Sequence, residues 1–124
     1  MLVTVFLAAC GGGVEDDPTG RTWQLVELER SALVEATSID LTIDDEQASG
    51  SSGCNSYTGP ASVSDGEMAL GPDFAVTFMA CGEEVMSQEQ RYLEALTRVT
   101  AYEMASTQLT LKDAQGIVLL TFNG

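Results

Sequence analysis

The chain has 124 residues, 44% of them apolar, enough for one domain with one hydrophobic core and too apolar for a disordered tail or a collagen-like repeat. Nineteen Asp and Glu against five Lys and Arg leave a formal charge of −14, and there is no histidine. So negative a chain has few cations to replace phosphate counterions, which argues against nucleic acid as a partner. The missing imidazole removes the commonest general base and zinc ligand.

Met1 to Ala9 is almost wholly apolar and runs into Cys10 and a Gly11-Gly12-Gly13 stretch. At helical rise such a run covers ~14 Å, about half a bilayer core, so it is not read as a transmembrane helix. A short apolar run closing on small residues is the pattern that precedes a signal-peptide cleavage site. Leu7-Ala8-Ala9-Cys10 resembles the lipobox of bacterial lipoproteins, which implies acylation of the Cys10 thiol and cleavage that leaves Cys10 as the first residue. No Lys or Arg precedes the run, and a start upstream of Met1 is expected. Gly11 to Gly20 is Gly-rich, acidic and without periodicity, as in a flexible tether. The expected organisation is a lipoprotein signal segment and tether over residues 1–20 and one folded domain over 21–124.

Trp23 to Glu29 has a strand pattern whose phase slips between Leu25 and Val26, predicting a bulge. Ile39 to Asp44 alternates strictly and predicts a half-buried strand, followed by an acidic turn at Asp44-Asp45-Glu46. Gln47 to Gly53 is a strand fading into a loop. Tyr57 to Val63 is a weaker strand broken at Gly59-Pro60, and Ser64-Asp65-Gly66-Glu67 signals a hairpin leading to Met68 and Leu70. Phe74 to Met79 is expected to be a strand with Phe74, Val76 and Phe78 on one face. Glu83 to Val99 is the one convincing helix: Met86, Leu93, Leu96 and Val99 form a stripe beside Tyr92, with Glu89, Arg91, Glu94 and Arg98 off it. Glu83 and Glu84 suit the helix start, and Ser87 with Gln90 has capping-box spacing. Ala101 to Ala105 and Gln108 to Lys112 read as strands, and Ile117 to Phe122, apolar on both faces, belongs in the middle of a sheet. There is no internal repeat. These elements predict an α+β fold: a curved, mostly antiparallel β-sheet, an open or cracked barrel, with one packed α-helix.

With Cys10 assigned to lipid, Cys54 and Cys81 remain, and outside the cytoplasm an even remainder suggests a disulfide. The alternatives are a zinc site, which lacks His and a second cysteine pair, and a redox dithiol, which lacks the Cys-x-x-Cys spacing. Gly53 and Gly59 permit positive φ or a close backbone approach, and Asn55 tolerates the left-handed region, so residues 53–59 are expected to form a tight corner. Tyr57 is read as a core tyrosine with a satisfied hydroxyl, or else as a ring presented to a ligand.

Trp23-Gln24-Leu25, Gly53-Cys54-Asn55-Ser56-Tyr57-Thr58-Gly59, Thr77-Phe78-Met79-Ala80-Cys81, Glu89 with Tyr92 to Leu96, and Leu109 to Asp113 with Gly116 and Phe122 form a pattern in order and spacing. It resembles the META domain, or HslJ-like, family of bacterial envelope and stress proteins, over about Thr22 to Phe122. The resemblance implies a compact antiparallel fold with one helix, often on a lipoprotein, similar in shape to small pilot lipoproteins that chaperone secretion pores. It also implies links to the heat-shock response and to novobiocin resistance. It carries no catalytic residue set, so Gly53, Cys54, Asn55, Tyr57, Gly59 and Cys81 transfer as signature positions only.

The function expected is therefore a non-enzymatic binding or chaperone-like module in cell-envelope stress tolerance. It would be held at a membrane by its N-terminal lipid, facing periplasm or exterior, without cofactor or metal. Its partner would be an envelope protein or a hydrophobic ligand. The alternatives are a hydrolase using Asp44, Asp45 and Glu46 or Glu83 and Glu84, and an acidic surface that binds Ca²⁺, although Asp44-Asp45-Glu46 lacks the alternating ligand spacing of a calcium loop. The acidic surface is read first as a source of solubility and self-repulsion. The unfolding midpoint should accordingly rise between low and high salt; a midpoint that does not move would remove self-repulsion as a destabilising force.

Overall fold

The computed structural model describes residues 17–124. Nine strands and one helix follow in the order β1 (Thr22–Leu28), β2 (Asp40–Asp44), β3 (Gln47–Ser51), β4 (Ser56–Ser64), β5 (Glu67–Leu70), β6 (Ala75–Val76), α1 (Glu83–Arg98), β7 (Ala101–Ala105), β8 (Gln108–Lys112) and β9 (Val118–Asn123). All pairings are antiparallel, in the order β3-β2-β1-β9-β8-β7-β5-β4-β6, and β3 pairs β4 as well, which turns the sheet into a ring. The fold is α+β, a ring-like sheet rather than a regular barrel.

The ring is weakest between β5 and β7, where Glu67 opposite Ala101 is the one paired position, supported by Met68 N to Thr100 O at 3.1 Å and Tyr102 N to Gly66 O at 2.9 Å. The helix enters β7 directly and packs on β5, so it covers the place where the strands diverge. Inside, Trp23, Leu41, Ile43, Leu109, Leu111, Leu120 and Phe122 from the sheet meet Tyr92, Ala95 and Leu96 from the helix, all essentially without solvent exposure.

The phase slip read in β1 is a register shift between Leu25 and Glu27 against β9, which puts Val26 outside while Trp23, Leu25 and Leu28 stay buried. β9 lies between β1 and β8, and Leu119 and Leu120 are both buried. The acidic turn has Asp45 and Glu46 at φ 50° and 63°, and the second hairpin has Asp65 and Gly66 at 48° and 87°, as two-residue turns matched to sheet twist require.

Four elements differ from the sequence expectation. Pro18 is buried and its carbonyl accepts from Trp23 Nε1 at 2.9 Å, while Gly20 N donates to Ile43 O at 3.0 Å, so the packed domain begins before residue 21. Strand β4 is continuous through Gly59-Pro60: Pro60 lies between the stretch that pairs with β6, ending at Thr58, and the stretch that pairs with β5, starting at Ala61, and its carbonyl accepts from Gly71 N at 2.8 Å. The strand expected over Phe74 to Met79 shrinks to Ala75–Val76, because Phe74 turns onto Tyr57, ring centroids 5.7 Å apart, while Phe78 is left in solvent. Finally, α1 starts at Glu83 as expected but without a side-chain cap, and the capping-box spacing of Ser87 and Gln90 falls inside the helix rather than at its start.

Gly59 is needed for close approach rather than for its φ. A Cβ there would stand 2.5 Å from Phe74 Cδ1 and 3.1 Å from Asp73 O. Gly59→Ala should destabilise the domain by about 1–3 kcal/mol, the usual range for overpacking, measured as a lowered urea midpoint.

Candidate functional site

The signature residues come together where the corner between β3 and β4 meets the helix. Ser51 still pairs with Ser56, so Ser52 to Asn55 must reverse the chain in four residues. Gly53 makes this possible with φ +116°, and Ser52 N closes the turn on Asn55 O at 2.8 Å. Asn55 is not in the left-handed region as expected of it; its side chain is the reason for its presence. Its Nδ2 donates to Met79 O at 3.2 Å and to Glu89 Oε1 at 3.0 Å, and its Oδ1 accepts from Met79 N at 2.7 Å and Thr77 Oγ1 at 2.9 Å. An asparagine amide has two donors and two acceptor lone pairs, and all four are used.

Glu89 completes the junction from the helix. It is 3% exposed, accepts from Asn55 N at 2.8 Å as well as from Asn55 Nδ2, and holds a short hydrogen bond from Ser52 Oγ. Burial pushes its carboxyl up, but the combined donors, the Ser52 hydroxyl, the Asn55 side chain and the Asn55 and Cys54 backbone N–H groups, hold it below the ordinary range. Beside it, Cys54 and Cys81 are joined by a disulfide, Cα atoms 6.1 Å apart. The residues just before the helix are thus tied to the corner by one covalent bond and by both backbone polar groups of Met79. Cys10 lies outside the described residues.

Two further polar contacts extend the junction. Gln88 is also buried, accepting from Val34 N at 2.7 Å and donating to Thr37 Oγ1 at 3.1 Å, which fixes the long loop between β1 and β2. Tyr57 is a core tyrosine: its hydroxyl meets Tyr92 OH at 2.6 Å and donates to Asp40 O at 2.8 Å. Desolvation raises both phenols above their usual range, so they stay neutral. Among the described residues no buried side-chain nitrogen or oxygen lacks a partner.

The sequence pattern sets Glu89 off the apolar stripe, but the helix buries it within the stripe. The buried set is Gln88, Glu89, Tyr92, Ala95 and Leu96, whereas Met86 and Leu93 are only partly covered. Tyr92, Leu96 and Val99 extrapolate back by helical steps to positions 88 and 89; phasing on Met86 and Leu93 hides this. The acidic candidates Asp44, Asp45, Glu46, Glu83 and Glu84 are all exposed, Asp44 at the end of β2, Asp45 and Glu46 in the turn after it, and the last two in the first turn of α1. Among the described residues no group of three or more His, Cys, Asp or Glu is placed to hold a metal ion.

What this geometry supports chemically is cohesion. A carboxylate saturated by donors and held below its usual pKa is a weak proton acceptor. The fold and junction define a small antiparallel ring closed by one helix and pinned through a Gly-Cys-Asn corner. The chain belongs to the META domain family, whose model matches residues 16–123. It is also similar to a protein from Burkholderia xenovorans solved by NMR, at 30% identity with TM-score 0.68, over 86% of this chain and 82% of that one. A second protein solved by NMR matches at 22% identity and TM-score 0.63, over 82% of this chain and 86% of that one. A DUF4847 family protein from Bacteroides vulgatus shares the fold at 20% identity and TM-score 0.54, over 68% of this chain and 57% of that one. A search of the curated proteins returns no match.

The junction makes stability depend on pH in a definite direction. Because Glu89 sits below the ordinary value of 4.5, its contribution is present in full above that value and is lost as pH falls through its lower folded value. Glu89→Gln should lower stability near neutral pH by about 1–3 kcal/mol and flatten the loss between neutral and acid pH, measured by urea unfolding across that range. A Gln variant with the same acid slope as the parent would show that other carboxylates carry it.

Proposed function

We propose that this META-domain protein is a non-enzymatic envelope lipoprotein, anchored through an acylated Cys10. Its folded part would act as a binding or chaperone-like module in envelope stress tolerance, engaging partner proteins through its outer surface. The observation that carries the surface reading is the filled interior: Trp23, Leu41, Leu120 and Phe122 occupy the centre of the ring at 0% exposure. An enclosed lipid or drug would need a cavity of several hundred Å³ lined by apolar groups. A cleft instead lies on the surface, between the turn at Ser64 to Gly66 and strands β7 and β8, with Asp17, Asp65 and Glu103 among its walls. No helix among the described residues is long and apolar enough to cross a membrane. A membrane address therefore rests on the lipobox-like Leu7 to Cys10.

Two measurements test this. Intact mass of the protein extracted from membranes should correspond to an acylated Cys10 as first residue, with thiol label entering only after reduction. An unlipidated chain with three freely labelled thiols would overturn the lipoprotein reading. Titration with a long-chain fatty acid should give no saturable binding; stoichiometric uptake would replace surface binding by ligand carriage.

A further inference from the structure

The segment between β6 and α1 combines features that cohesion alone does not require. Phe78 is fully exposed, at 103%, and its neighbour Met79 is 59% exposed, with Val76 at 39%. Their backbone is nevertheless fixed: Asn55 holds Met79 N and O, Thr77 N donates to Ser56 O at 3.0 Å, and the disulfide follows at Cys81. Large apolar side chains in water on a pinned backbone form a preorganised contact surface, which binds without the cost of ordering a loop.

Two observations specify the occupant. Strand β6 ends the strand order, with Tyr57 opposite Val76 and the Thr77-to-Ser56 bond beside it, so the N–H and C=O of Val76 point away from β4. An open edge of this kind accepts an extended segment as an added strand. The surroundings are uniformly anionic: residues 31–90 contain eleven Asp and Glu and no Lys or Arg, and Glu83 and Glu84 are exposed just beyond the tip. Four of the five cations are already engaged, Arg91 and Arg98 on Glu29, Lys112 on Glu103 and Arg21 over the Trp23 ring. A second copy of the chain or an anionic bilayer would meet like charge.

We propose that Phe78, Met79 and the β6 edge dock an extended segment of a partner protein in which apolar side chains alternate with Lys or Arg. This rests on the surface-binding reading and names its partner chemistry. The test is fluorescence anisotropy with three labelled peptides: alternating Val and Lys, alternating Val and Glu, and a helix-forming Ala-Lys control. The Val-Lys peptide should bind saturably, and binding should weaken at least about tenfold, a loss of 1.4 kcal/mol, in Phe78→Ser/Met79→Ser and in Glu83→Gln/Glu84→Gln. It should also weaken at about 0.5 M salt, where surface charge is screened. The Val-Glu peptide should not bind. Phe78→Ala, which removes the ring without adding a polar group, is the second variant should the double one unfold more easily. Unchanged affinity in the Phe78 variants, stronger binding of the helical control, or no binding of any peptide overturns the proposal. These outcomes leave the surface reading to its own test, because fatty-acid uptake, and not peptide failure, would overturn that.

Discussion

A carboxylate removed from water loses several kcal/mol of hydration unless fixed donors replace it. Glu89 is the one acidic side chain in this molecule among the buried residues described, and the corner between β3 and β4 exists in a form that supplies those donors. The arrangement is mutual. Without the carboxylate, the backbone N–H of Asn55 would face a dry interior; without the corner, the helix would carry an uncompensated charge into it. The position of α1 over the diverging strands β5 and β7 therefore depends on a polar contact as much as on Tyr92, Ala95 and Leu96.

That contact also explains why the signature residues of the 53–59 corner occur together with Cys81, which lies 27 positions further along the chain from Cys54. Gly53 supplies the backbone conformation, Asn55 the four hydrogen bonds, Cys54 the covalent link to Cys81, and Gly59 the space for the Phe74 ring. Each answers a different physical demand of one junction. Among the described residues every buried side-chain nitrogen and oxygen of the cluster has a partner. The junction builds a rigid platform, and what it presents to solvent is Phe78 and Met79.

Charge is distributed with the same division. Cations sit where they brace the fold, Arg91 and Arg98 on Glu29 at 3.1 and 2.9 Å across the outer face of the helix, while the half built from β2 to the helix start carries only acids. Such exposed pairs contribute little stability individually. The apolar tip at Phe78 and Met79 thus belongs to a stretch of chain, residues 31–90, whose charged side chains are all acidic.

Much was legible from residues alone. Strict alternation located β2, the phase slip in β1 marked its bulge, Asp44-Asp45-Glu46 marked a turn and Ser64 to Glu67 a hairpin, and the doubly apolar run of β9 marked a central strand, because these follow from local geometry with period two. The corner, the helix and the family were equally open to reading. What only the tertiary structure decided is which polar residues go inside and which apolar residues stay out. Glu89 and Gln88 carry no mark of burial, since their cost is met by donors from Ser52, Asn55 and Val34, 34 to 54 positions away in sequence. Phe78 continues an alternating strand pattern, yet Asn55 captures the backbone of its neighbour and Phe74 takes the inner position, leaving Phe78 in solvent. Periodicity ranks residues by their own hydrophobicity; burial of a charge and exposure of a ring are settled by partners that the fold brings from elsewhere.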